Sequence, residues 1–479
     1  MNRLLPVLCS LLLITSSNAQ SGANDPSFDP GTGADNGHGI ILDIALQPDG
    51  KMVLVGLFNG FDDGTGQNIV RINSDGSRDA GFDVGYGTGS SVSVVAIQND
   101  GKVLIGGHFY GYPGSTGLND LMRLNSDGSF DTGFDSGDGA YPGIGEILVL
   151  PDNKILIAGL FTEYWGVPRN HIARMNADGS LDPSFDPGAG ATSQTSSSAS
   201  TIALQPDGKI ILAGQFTAYD GTPRKCIARL NSDGSLDNSF DAGAGPVASG
   251  YDDRISKVVL QPDGKILVIG NFYTFNGVDR NYIARLNADG SLDTSFDPGS
   301  GANLFIRSVA LQTDGKIVIG GSFTEFNGVS ENRFMRLNAD GSKDASFDTG
   351  SGPDDPIGPM VIQDDGKIVI GGAINFYDGA SRNGIARVLV EPTIGIEEVA
   401  SGPGLQVMPN PATNRLYVTG IQGGFQWSIF NLQGSLLMEG SSRRMLEQGI
   451  DISSLAPGSY MLRATDGALG HTVRFNKLR

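Results

Sequence analysis

The heptapeptide Leu46-Gln47-Pro48-Asp49-Gly50-Lys51-Met52 occurs in seven versions along the chain, and this recurrence constrains the fold more than any other feature. Its aspartates are Asp49, Asp100, Asp152, Asp207, Asp263, Asp314 and Asp365, spaced by 51, 52, 55, 56, 51 and 51 residues. A fixed period of this length signals a repeat architecture. Aspartate–glycine between two apolar runs is a strong hairpin signal, because glycine takes positive φ without steric cost. In the unit that begins at Ser308, residues 308–312 read as a strand and 313–315 as its turn. Residues 316–323 read as a second strand, apolar without alternation and so covered on both faces. Residues 334–337 read as a third strand, 338–342 as a second tight turn and 346–348 as a short fourth strand. Four strands in roughly 50 residues make the blade of a β-propeller; a β-helix coil needs about half that period.

The second turn, Asn-x-Asp-Gly-Ser, occurs six times, and the seventh unit ends at Ile385–Val388 without it. The segment Asp25–Gly31 is identical in sequence to Asp182–Gly188. The expectation is an all-β fold, a seven-bladed β-propeller over residues 24–391. The N-terminal strand closes it by donating the outer strand of the last blade, which removes open sheet edges. The units, Ala-Leu-Gln-Pro-Asp-Gly-Lys-Ile and then Ile-Ala-Arg-Leu-Asn-x-Asp-Gly-Ser-Leu-Asp, resemble those of the delta-60 repeat proteins over residues 25–390. The resemblance implies a propeller and no reaction.

Residues 1–19 read as a secretory signal, with Arg3, the apolar run Leu4–Ile14 and the small-residue site Ser17-Asn18-Ala19, cut between Ala19 and Gln20. The run is too short to span a bilayer, and no other segment is long and apolar enough to be a transmembrane segment. Cys9 follows the bulky Leu8, so no acylated cysteine is expected. After cleavage Cys226 is the one cysteine left, and the exported ring must hold by packing and closure without a disulfide. Removing Arg3 takes the net charge from −19 to −20, and such a surface repels a phosphate backbone, so nucleic acid is not an expected partner.

Residues 392–404 read as a linker. Residues 405–479 show short alternating strands between Gly, Pro and Asn turns, the pattern of a small Ig-like β-sandwich. Pro409-Asn410-Pro411, the turn Asn431–Gly434, the strand Gly458–Leu462 and the end Lys477–Arg479 resemble the type A sorting domain of the type IX secretion system of Bacteroidota. The resemblance implies the type IX secretion machinery as a partner and passage through the outer membrane of a Gram-negative bacterium. It also implies removal of the domain, then release or attachment to surface lipopolysaccharide. An ordinary Ig-like adhesion domain is the alternative.

Residues present in every blade are read as architectural, because one ligand site needs asymmetry. Arg71, Arg123, Arg174, Arg229, Arg285, Arg336 and Arg387 recur in the third strand, and Phe28, Phe82, Phe134, Phe185, Phe240, Phe296 and Phe347 in the fourth. Arginine–carboxylate pairs with phenylalanine packed between blades account for both; a ring of arginines lining the channel is the functional alternative. Segments such as Asn73–Asp79 resemble a calcium loop, but they are short and lack a downstream bidentate glutamate. A self-bonded turn is the preferred account, no cofactor is expected, and Ca²⁺ is the alternative. His38, His108 and His171 have no ligand spacing and read as solvated or packed. No nucleophile elbow, His-Glu-x-x-His or phosphate loop appears.

The loops between second and third strands carry Tyr164, Trp165, Tyr219, Tyr273 and Tyr377 beside Arg169, Arg224, Arg280 and Arg382. This is the candidate ligand-binding set, since aromatics with planar hydrogen-bonding groups suit a sugar or a protein. The alternative is that the repeated Tyr/Phe position caps the inter-blade core; Trp165 occurs once and points more to function. Three readings stand. The preferred one is a secreted or surface, non-enzymatic adhesion propeller for glycan or protein. A secreted lyase or lactonase-like hydrolase at the channel mouth is the second, drawing on His38 and His108 with carboxylates such as Asp43 or Glu146. A passive structural module is the third.

Overall fold

The computed structural model describes residues 21–35, 39–62, 64, 66–110, 118–137, 139–193, 198–248, 252–390, 406–408, 412–419, 425–431, 436–442, 449–455, 458–465 and 470–477. The signal-cleavage residues Ala19 and Gln20, the linker, His38 and the side chain of His108 lie outside them. The chain divides into two compact units, one spanning Ala19–Glu391 and one containing Pro392–Arg479.

The first unit is all β: seven antiparallel three-stranded sheets, each running from an inner strand through the second to the third. The inner strands are Ile40–Leu46, Val92–Ile97, Ile144–Val149, Ser198–Leu204, Arg254–Leu260, Ile306–Leu311 and Ile357–Ile362. The seven repeats thus form the seven blades of a propeller. The second strands are continuously apolar because a neighbouring blade covers each face; Ile266–Asn271 is buried at every position. The core is accordingly a set of clusters, each drawn from adjacent blades. Ile269, Ile283 and Phe296 pack with Ile306, Val309 and Ile317. Phe28 and Ala34 share a cluster with Ile41, Ile44, Val369 and Ile385, from the first and last sheets.

The expected fourth strand is replaced by a single bridge and a turn. Lys343 bridges Leu337, and the chain then bends instead of extending over 346–348. The reason is local: the Asp344 carboxylate accepts both the N–H and the hydroxyl of Ser346, and Phe347 N–H closes onto Asp344 O. At the other end of the chain, Asn24 bridges Val388. Gly22 N–H donates to Leu389 O at 2.6 Å and Asp25 N–H to Arg387 O at 2.8 Å.

Each inner strand carries a register break at the same level, for example between Ile41 and Asp43, Ile144 and Glu146, and Ile255 and Lys257. A bulge bends the strand and re-aims its side chains. The loops between second and third strands form two-residue hairpins in the third to seventh blades, such as Glu163–Tyr164 with Val167–Pro168.

In the second unit, Gln406–Met408, Arg415–Thr419 and Ile450–Asp451 form one sheet. Leu436–Ser442, Phe425–Asn431, Gly458–Thr465 and Gly470–Lys477 form the other, in that order. Val407, Leu416 and Ile450 from the first share a core with Ile429, Leu462 and Phe475 from the second. Among the described residues no helix is long and apolar enough to cross a membrane.

Candidate functional site

The repeated charges build fasteners. In the fourth blade Asp237 Oδ2 accepts from Lys209 Nζ at 2.8 Å and Arg229 Nε at 2.7 Å, and the guanidinium lies 5.1 Å from the Phe240 ring centre. Arg229 NH1 donates to Ala288 O in the next blade's tight turn, 2.6 Å away. The same Lys–Asp–Arg–Phe set recurs around the ring; Arg387 pairs with Asp25 at 2.8 Å, covers Phe28 and donates NH1 to Ser74 O in the first blade. The arginines are therefore structural. The Asn-x-Asp-Gly-Ser turns bond to themselves: Asp75 Oδ1 accepts the N–H of Ser77 at 3.0 Å and its hydroxyl at 2.6 Å.

The loop aromatics require a correction. Tyr164, Tyr219 and Tyr377 are fully buried, with hydroxyls donating to Gly179 O, Gly234 O and Gly22 O at 2.8, 2.8 and 2.6 Å. Each ring fills the layer between blades while its hydroxyl satisfies a turn carbonyl, so none of the three faces a ligand. Phe275 and Phe326 occupy the same hairpin position and are buried too. Tyr273 lies two residues before Phe275, just ahead of its hairpin, and is half-exposed, edge-on to Tyr282 at 5.6 Å.

The arginines beside them are distributed one per blade. Arg169, Arg224 and Arg280 each donate NH1 to the carbonyl of the preceding residue, and Arg280 is buried. Arg382 Nε donates to Asn24 Oδ1 at 2.8 Å. Trp165 is half-exposed at φ 56°, where its sister positions hold Asp220, Asn276, Asn327 and Asp378. Those four accept a backbone N–H from the preceding inter-blade loop; the indole cannot, and lies against Gly137 instead. His171 is packed, with Nδ1 3.1 Å from Gly159 O and its pKa lowered by burial.

Asymmetry lies on the axis. The bulges direct Leu42, Ser93, Gly145, Ser200, Ser256, Arg307 and Gly358 into a cavity of about 500 Å³, within the usual range for a ligand site. One residue further on, the first, third and fifth blades carry Asp43, Glu146 and Lys257. Lys257 Nζ bonds Glu146 Oε2 at 2.7 Å across the channel. Asp43 Oδ2 accepts Val95 N–H from the next blade, and Oδ1 accepts Ile44 N–H, both at 2.9 Å. Burial pushes the Asp43 carboxyl up to about 6, with Lys257 pulling the other way. Burial would lower Lys257, but Glu146 and Asp43 outweigh it and hold its pKa above the usual value. Lys257 is 41% exposed but opens onto a channel walled by seven strands, so the charges act on one another with weak screening.

The mouth above this layer is lopsided. One side presents Ser93, Gly145 and Ser200; the other presents Arg254, Phe305 and Arg307. Asp43 and Glu146 were legible as candidates, whereas Lys257, Arg254, Phe305 and Arg307 were not singled out. The signal that finds Lys257 is a register column. Six residues before the seven motif aspartates stand Asp43, Val94, Glu146, Thr201, Lys257, Ser308 and Pro359.

The family described as domain of unknown function (DUF5122) beta-propeller matches residues 47–82, 98–134, 150–185, 205–240, 261–296, 312–347 and 363–389, half of the chain and one match per blade. The chain belongs to the DUF5122 β-propeller family. The secretion system C-terminal sorting domain matches residues 406–476. This DUF5122 propeller therefore carries a type IX sorting tail that directs it to the cell surface or the extracellular space. Among solved structures it is similar to PorZ, described as an essential bacterial surface component of the type-IX secretion system of Porphyromonas gingivalis. Identity there is 14%, coverage is 92% of this chain and 52% of that one, and the TM-score is 0.33. It is similar to the extracellular domain of a hybrid two-component system of B. thetaiotaomicron, at 12% identity, 92% and 55% coverage and a TM-score of 0.42. It is also similar to virginiamycin B lyase of Staphylococcus aureus, at 13% identity, 74% and 96% coverage and a TM-score of 0.41. The DUF5122 chain spans about half the length of the first two. No curated protein matches it.

Proposed function

We propose that the mature chain is a non-enzymatic binding propeller that takes a glycan or protein ligand at the mouth of its axial channel. In this reading the N-terminal strand closes the ring, and an Ig-like β-sandwich serves as the tail engaged by the type IX secretion machinery. The observation that carries the reading is the lopsided mouth: a sevenfold scaffold departs from its symmetry where the bulges open onto a cavity. No cofactor is invoked. Ser200→Trp would plug the mouth from the fourth blade while leaving the fasteners intact. Glycan-array and surface-protein binding by the mature chain is expected to be lost in this variant; binding indifferent to the plug would overturn the site.

Asp43 favours a second reading. A carboxyl held near neutrality beside a carboxylate–lysine pair suits proton transfer in a lyase or hydrolase. Turnover of an unsaturated-product or ester reporter, abolished by Asp43→Asn, would favour it over simple binding.

A further inference from the structure

We propose that the mouth takes an acidic saccharide, with a sugar carboxylate held at the lip by Arg254 and Arg307. The proposal rests on the reading of the mouth as a binding site.

Three observations about the arginines support it. The two arginines stand on adjacent inner strands and both line the cavity, in a molecule whose net charge is strongly negative. Arg307 Nε donates to the neutral Ser322 hydroxyl at 2.9 Å, and among the described residues Arg307 forms no ion pair. Arg254 is 43% exposed and meets Asp252 only loosely, at 3.7 Å. Two guanidiniums so placed present planar donor forks that match a carboxylate.

An aromatic ledge leads to them. Phe305 lies edge-on to Tyr282 at 5.5 Å, Tyr282 edge-on to Tyr273 at 5.6 Å, and Phe305 and Tyr273 are partly exposed. Such a ledge offers apolar area to the C–H face of a ring while the polar edge stays free. The facing wall, with Ser93, Gly145 and Ser200, offers small hydroxyls and open backbone. Below, Asp43, Glu146 and Lys257 offer both acceptors and donors to sugar hydroxyls. Their two carboxylates repel a second acid, so the ligand's own charge belongs at the lip.

A peptide fits less well. Strand addition needs a continuous edge, and each inner strand is broken by a bulge at this level. Asp43 already occupies the Val95 N–H.

Calorimetry on the mature chain tests the proposal with trigalacturonic acid, neutral galactotriose and triglutamate as probes. Trigalacturonic acid is expected to bind at least about tenfold more tightly than the other two, and Arg254→Ala with Arg307→Ala to weaken it by about tenfold or more. Arg307→Lys, which keeps the charge without the fork, is expected to fall between; it also serves as the readout if the double variant does not fold. Equal binding of galactotriose, blocked by Ser200→Trp, would overturn the acid assignment and leave the mouth standing. Triglutamate binding as tight as the uronate would overturn the saccharide assignment. Binding untouched by the plug and by the arginine changes would overturn the location. No binding of any probe would overturn the proposal.

Discussion

Asp237 serves two cations at once, and the guanidinium it holds is buried against Phe240. Removing the acid strands that charge, so Asp237→Ala is expected to cost about 3–5 kcal/mol, read from urea unfolding. The seven acids of this kind also set a pH limit. Burial alone would raise Asp79 and Asp131, but lysine, backbone N–H and arginine bonds outweigh it and hold both at about 2. A carboxylate depressed in the fold stabilises above its unfolded pKa, near 4, and loses that stabilisation as pH falls through the folded value. The propeller is therefore expected to lose its stability between about pH 4 and pH 2, measured by circular dichroism. Asp43 has the opposite sign. Its raised pKa gives a contribution present below about pH 4 and lost as pH rises through about 6. Asp43→Asn is expected to raise the melting midpoint more at neutral pH than in mild acid; equal shifts would contradict this.

At the scale of single elements, the hairpin bearing Trp165 is strained where its sisters are not. A bulky residue with positive φ is held at a cost of about 1–3 kcal/mol. Trp165→Asn is expected to restore the bond its sisters make and to stabilise the chain by about 1 kcal/mol in thermal melts. The seven-unit plan, the Asp-Gly turns and the covered second strands were legible because each is decided within a few residues. The fourth strand was misread because a carboxylate two residues before Ser346 or Ser184 bends the chain, and alternation does not report that. Tyr164, Tyr219 and Tyr377 were misassigned because their burial depends on the adjoining blade. Lys257 escaped notice because its partner Glu146 stands 111 residues away and meets it only after two bulges turn both inward.

For the molecule as a whole, the ends matter most. Phe28 is fully buried between the first and last blades, and Phe28→Ala is expected to cost about 3–5 kcal/mol by thermal or urea unfolding. Deleting residues 20–30 removes Asp25 as well and is expected to yield aggregated or partly unfolded chains by size-exclusion chromatography; a monomer of native midpoint would refute closure by this strand. Asp25 and Arg387 stand 362 residues apart. Asp25 is synthesised long before Arg387 and can pair with it only once the last blade is made, a slow kind of contact. Throughout that wait, the identical segment of a second chain fits the vacant seat equally well. Crowded nascent chains therefore face a contest between self-latching and exchange, decided by concentration, and exchange would string separate rings into swapped dimers.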